Sequence, residues 1–185
     1  MRRISQVAKR LNVCPPSGAI TPQHRSFTSG LYCKADGQYQ LVDDRHVIAS
    51  ALAVLAENVA SGPVLDVNTV RDYLTVRLGG LEYEIFCCLY LDSRHRVIEC
   101  ENLFRGSIKG SVVHPREVAK QALIHNASAL IVAHNHPSGA PEPSSDDRLI
   151  TMRLKHTLDL IEVRLLDHVV VGAGKVCSMA ELGLL

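Results

Sequence analysis

The chain has 185 residues, 46% of them hydrophobic and 21% charged, with a mean hydropathy of +0.08. That is enough chain for one domain with a buried core, and too apolar a composition for a disordered polymer. Twenty basic residues against 19 acidic ones give a net charge of +1; this excludes a globally basic nucleic-acid binder, and no apolar run is long enough to span a bilayer.

The charge is unevenly spread. Residues 1–35 hold six basic side chains (Arg2, Arg3, Lys9, Arg10, Arg25, Lys34) and no acid, which leaves 14 basic against 19 acidic residues in the remainder, a net −5. A basic tail of this kind can make weak contacts with DNA, and it fits a solvated, poorly ordered terminus equally well. The opening MRRISQVAKR is Arg-rich and acid-poor, as transit peptides are, but it lacks the apolar segment of a secretory signal. The chain therefore reads as cytoplasmic. Its six cysteines (Cys14, Cys33, Cys87, Cys88, Cys100, Cys177) form no C-x-x-C pair, which argues for buried free thiols over a thiolate zinc ribbon or a disulfide framework.

Through residue 44, Pro15-Pro16-Ser17-Gly18, Pro22 and Asp36-Gly37 predict loops and turns. Ile48, Ala51, Leu52, Leu55 and Val59 then fall at helical spacing, with Asp44 as cap and Gly62 as stop. A second short helix fits 69–78, capped by Asn68. From Glu84 the period changes to that of strands: EIFCCLYL (84–91) and RVIECENLF (96–104) read as a hairpin turning at Asp92-Ser93. Pro115 opens a helix to about Asn126. ALIVAH (129–134) is a buried strand, Ser144 caps a helix over 145–158, and two strands near 162–171 and 175–178 turn at Gly172-Ala173-Gly174. This order of elements predicts a mixed α/β sheet with helices on both sides. No glycine-rich phosphate loop follows any strand.

The chemistry concentrates at 134–147, which reads HNHPSGAPEPSSDD. His134 and His136 at i and i+2 share one face of a strand end. Asp147 lies eleven residues after His136, across a loop stiffened by Pro137, Pro141 and Pro143. Two imidazoles and one carboxylate leave a fourth tetrahedral position, the pattern of a catalytic zinc site holding one ion per chain. The bland reading stands beside it: Ser144 and Asp147 also match a capping box, and paired strand histidines often only satisfy backbone groups.

His134-Asn-His-Pro-Ser-Gly139 with Pro143-Ser144 and Asp147 resembles the H-x-H-P…S-x-x-D signature of JAMM (MPN+/JAB) metallopeptidases. Together with His114-Pro115-Arg116-Glu117-Val118 and Leu166-Asp167-His168, it resembles the RadC family in particular, over about residues 66–185. The resemblance implies a JAB/MPN, cytidine-deaminase-like α/β fold. With the residue patterns before it, this gives a basic tail at 1–44, a helical extension at 45–65 and, by the resemblance, a RadC-like domain at 66–185. The resemblance implies zinc held by His134, His136 and Asp147, with Ser144 near the water and the oxyanion. It also implies an upstream glutamate as general base. The candidates are Glu82, Glu84, Glu99 and Glu101; Glu84, two residues before Phe86, matches that place, Glu101 is the reserve, and Glu82, farther out, reads as solvated.

The expected function is zinc-dependent hydrolysis of an amide or isopeptide bond in a peptide or protein substrate. The alternative is a DNA-associated binding protein that uses the basic tail. A zinc deaminase is disfavoured, because the P-C-x-x-C ligand pair is absent. His114 reads as a capping-region residue, and His125 and His156 as exposed helix residues. Asp167-His168 reads either as a second layer behind the zinc or as a local pair.

Overall fold

A computed structural model of the protein describes residues 31–35, 37–61, 66–106 and 112–185. Most of the basic tail and its prolines lie outside the described residues, as does Gly62. The chain divides into two compact units, residues 1–54 and 55–185.

Before residue 44 the sequence reading expects only turns, yet two strands pair there. β1 (Tyr32–Ala35) and β2 (Gln38–Leu41) form an antiparallel hairpin. Gly37 sits at φ +84° in its turn, a conformation that favours glycine. Helix α1 (Asp44–Ser61) follows. Its cap is Asp43, whose Oδ1 accepts the His46 N–H at 2.7 Å, one residue before the expected cap Asp44, which is already helical.

The second unit carries the sheet. Helix α2 (Val67–Leu78) is capped by Asp66, which accepts from Thr69 N, so it begins before the expected Asn68. Strands β3 (Ile85–Leu91) and β4 (Val97–Arg105) form the expected hairpin. Helix α3 (Pro115–Ile124) starts on its proline and stops two residues early, because Asn126 turns to φ +51°. Strand β5 (Ala129–Asn135), helix α4 (Ser145–Asp159) and strand β6 (Arg164–Gly172) make a βαβ unit. The start of β6 falls two residues later than expected, after Glu162 at φ +59°. β7 (Lys175–Ser178) closes the sheet through a turn with Ala173 and Gly174 both at positive φ, as a tight hairpin requires.

The five strands lie in the order β4-β3-β5-β6-β7. β5 and β6 are parallel and the other neighbours antiparallel. This is the mixed, helix-flanked α/β sheet that the element order predicts. β3 and β5 are buried along their whole length, which explains why both read as unbroken apolar runs. On one face Phe86, Cys88, Tyr90, Leu130 and Val132 form a core with Val118 and Ala122 of α3 and Leu154 and Leu158 of α4. α2 lies against β5, β6 and β7 and buries Val70, Tyr73, Leu74 and Leu78. Cys87 and Cys88 therefore point to opposite faces and are both buried free thiols. Among the described residues no helix is long and apolar enough to cross a membrane.

Candidate metal centre

The central strand β5 delivers two rings to one place. His134 shares the parity of Leu130 and Val132, so its ring enters the α3–α4 face of the sheet. His136, two residues on, has the same parity. Its backbone is still held to the sheet, since His136 N–H donates to Val171 O at 2.8 Å. The loop then returns to the start of α4.

That start is a complete capping box. Ser144 N–H and Oγ–H both donate to Asp147 Oδ2, at 2.7 and 2.6 Å, and Asp147 N–H donates back to Ser144 Oγ at 3.1 Å. Asp147 Oδ1 then lies 3.1 Å from His134 Nε2, and Oδ2 lies 3.4 Å from His136 Nε2. The two Nε2 atoms are 2.9 Å apart. One ligand atom from each of the three side chains falls within 4.8 Å of the others, the spacing of a metal site. The bland and the functional readings of Ser144 and Asp147 thus hold together: the cap aims the carboxylate.

Tautomer and charge fit a cation. His136 Nδ1 is 2.7 Å from Ala140 O, which can only accept, so Nδ1 carries the proton and Nε2 keeps its lone pair. Burial alone would raise the Asp147 carboxyl. The nearby His134 ring, and then the two bonds from Ser144, outweigh it and hold the group well below the usual carboxylate range. Two ring nitrogens and an ionised carboxylate converge, and this donor set can hold a metal ion.

Glu84 stands immediately before β3. In the β3–β5 register Phe86 faces His134, and Glu84, two residues before Phe86, shares its parity at the end of β3 nearest the end of β5. Its main chain is clamped on either side by Asn135. Asn135 Oδ1 accepts Ile85 N–H at 2.8 Å, and Nδ2 donates to Tyr83 O at 3.0 Å. Sequence reasoning misses this role of Asn135. The reserve glutamate, Glu101, lies instead 3.4 Å from His125 Nε2. Glu82 is exposed, as expected, and Glu99 Oε1 accepts the N–H of Cys100.

A family model for the RadC-like JAB domain matches residues 64–184. The chain belongs to the RadC family. A UPF0758 protein of Nitrosococcus oceani is 54% identical over 132 residues, which is 71% of this chain and 59% of that protein. One from Thioalkalivibrio sulfidiphilus is 55% identical with the same two shares. One from Marinobacter nauticus is 45% identical over 169 residues, 91% of this chain and 74% of its own. The chain thus spans 59% of the length of the first two relatives, and their names state no activity.

The remaining histidines of this RadC chain divide sharply. His168, on β6, is fully buried, with Nε2 2.8 Å from His134 Nδ1. Burial, and then the neighbouring His134, keep its pKa well below the usual range. Its Nδ1 lies 2.6 Å from Thr151 Oγ1. His168 is therefore a second layer behind the triad, whereas Asp167 is local: it accepts from His168 N, Ala180 N and Ser178 Oγ. His114 occupies the N-cap of α3 but makes no side-chain cap bond, and its ring meets Phe104. His125 is not the exposed helix residue expected. It sits at the C-cap of α3, 19% exposed, with its ring stacked on Tyr90. His156 is exposed. A cleft of about 320 Å³ opens beside His136, between the Gly79-Gly80 turn and the loop Pro137–Gly139.

Proposed function

We propose that this chain is a zinc-dependent hydrolase acting on amide or isopeptide bonds of a peptide or protein substrate. The observation that carries this reading is the convergence of His134 Nε2, His136 Nε2 and the Asp147 carboxylate. His134, His136 and Asp147 would hold the ion. Two nitrogens and one oxygen are a donor set suited to zinc that leaves a position open. When bound, zinc supplies Lewis acidity toward a carbonyl and acidifies water.

The protein's own groups then divide the work. The Glu84 carboxylate takes a proton from the attacking water and returns it to the departing amine. Ser144 is exposed and its Oγ–H turns toward the oxyanion of the substrate. That turn gives up its bond to Asp147 Oδ2, but Ser144 N–H stays on the same oxygen at 2.7 Å, so the carboxylate remains aimed. The cleft beside His136 is walled by Gly79, Gly80, Gly139 and Ala173, whose short side chains suit an extended chain lying close.

The test is elemental analysis of the purified protein and its His136→Ala variant, followed by a screen of quenched fluorogenic peptides. About one zinc per chain is expected, absent from the variant. Glu84→Gln should keep its zinc and lose about 10²- to 10⁴-fold in turnover. No zinc in the unaltered protein, even after zinc is added, would sink the reading.

The second reading, a DNA-associated binding module, rests on the six basic residues and no acids of residues 1–35. It requires DNA binding that weakens steeply with salt and disappears when that segment is removed.

A further inference from the structure

We propose that Thr151 and His168 are positioning residues that hold the proton of His134 on Nδ1, and so turn the Nε2 lone pair of His134 toward the metal ion. The inference rests on the metal reading above and concerns how this chain prepares one of its ligands. It follows from counting protons along a chain of buried contacts.

Thr151 Oγ1 lies 2.5 Å from Asp147 O, 2.6 Å from His168 Nδ1 and 3.4 Å from Met179 Sδ. The hydroxyl has one proton and two lone pairs. The Asp147 carbonyl has no proton to give, and a thioether sulfur is a weak acceptor. The Thr151 proton therefore goes to Asp147 O, and toward His168 the hydroxyl can only accept. His168 must then carry its proton on Nδ1, which leaves a lone pair on Nε2. That lone pair is 2.8 Å from His134 Nδ1, which becomes the donor. His134 Nε2 is thereby left bare, 2.9 Å from His136 Nε2 and 3.1 Å from Asp147 Oδ1.

The reverse polarity would put a proton on His134 Nε2, aimed at Asp147 Oδ1, and close the triad to a cation. Direction therefore decides whether the three groups are a metal site or a hydrogen-bonded cluster. Burial makes the direction consequential: Thr151 and His134 are each 1% exposed and His168 is 0% exposed, so bulk water cannot replace a lost partner. Phe86 closes one side, packing edge-on against His168 and stacked on His134. A ligating histidine ordinarily donates its other ring proton to a carboxylate, a carbonyl or water. Here a second imidazole takes it, and the chain ends on the backbone of Asp147, itself one of the three candidate ligands.

The test uses the full chain. Zinc affinity is measured by competition with a chromophoric chelator for the unaltered protein, Thr151→Val, Thr151→Ser and His136→Ala. Histidine side-chain nitrogen NMR is recorded on the zinc-loaded unaltered protein. Thr151→Val keeps the shape and removes the acceptor, so its affinity should fall about 10- to 100-fold, and Thr151→Ser should recover most of that loss. His168 should give the signature of a neutral ring protonated on Nδ1.

Unchanged affinity in a folded Thr151→Val, or a His168 proton on Nε2, overturns the proposal while the metal reading stands. If Thr151→Val fails to fold, the spectrum of the unaltered protein decides alone. No zinc binding by the unaltered protein, or equal binding by His136→Ala, overturns the metal reading and this proposal with it.

Discussion

Gly172 ends β6 where the loop after His136 crosses it. A Cβ built there would stand 2.6 Å from Gly139 O, 2.7 Å from Ala140 C and 2.8 Å from Gly139 C, whereas ordinary contact begins at 3.4 Å. All three atoms are backbone, so no side chain can swing away. Gly172→Ala must push the loop back by roughly 0.6–0.8 Å, the shortfall from ordinary packing distance. The Ala140 carbonyl that fixes the His136 tautomer sits in that loop, 2.7 Å from Nδ1. A retreat along this bond lengthens it to roughly 3.3–3.5 Å, past hydrogen-bonding range. Overpacking costs about 1–3 kcal/mol and the lost bond about 1 more, so urea unfolding followed by circular dichroism should show a loss of about 2–4 kcal/mol. Zinc affinity should fall by about tenfold or more, as an unsupported ligand does. Gly174→Ala is the control: it meets nothing within 4 Å but sits at φ +75°, so it should cost about 1–2 kcal/mol of backbone strain and leave zinc binding unchanged. A Gly172→Ala protein that unfolds at the same urea concentration as the parent, with the same zinc affinity, would refute the reasoning.

Three further outcomes are expected. Asn135→Leu strands Ile85 N–H and Tyr83 O and should cost about 2–4 kcal/mol in urea unfolding; a stability equal to the parent's would refute the clamp. Leu154→Ala empties a fully buried site under α4 and should cost about 2–5 kcal/mol, read in the same way; a loss below about 1 kcal/mol would mean that the core there is loose. The thiol of Cys100 is brought down to about 7, first by its hydrogen bond with Cys87 against the opposing effect of burial, and then by the charge of Arg77. The thiolate forms as pH rises, so alkylation of Cys100, followed by peptide mass mapping, should accelerate through about pH 7 and then level off. Buried Cys87 and Cys88, both pushed up, should lag; equal labelling of the three at neutral pH would contradict this.

What could be read from sequence was what local spacing encodes. His134, His136, Ser144 and Asp147 lie within one short stretch, where strand parity and capping-box spacing act without knowledge of the rest of the chain. Asn135 sits in the same stretch and was missed, because its amide serves main-chain groups some fifty residues earlier, and only the β3–β5 register brings them together. Thr151 looked like one more helix residue. Its partner His168 stands out in the sequence, but nothing local says which nitrogen faces which neighbour. His125 was misjudged for a related reason: a helix C-terminus is exposed by default, and here Tyr90 of the sheet and Glu101 of the edge strand happen to meet it. The β1–β2 hairpin did leave a signal, Asp36-Gly37 between alternating residues, which was read as a turn without its flanking strands.

Asp147 is held by the first turn of α4 while it closes the triad. Helix ends are the parts of a fold that open most readily. On the metal reading proposed above, such an opening would also carry a ligand away, so the end of α4 and the proposed ion site would be linked equilibria. Linkage is reciprocal: whatever factor a bound ion adds to the protection of the Asp147 amide, which donates to Ser144 Oγ, the closed turn adds to the affinity for the ion. Hydrogen exchange at this single amide, with and without metal, would therefore measure how much of the ion's binding free energy is stored in the end of a helix.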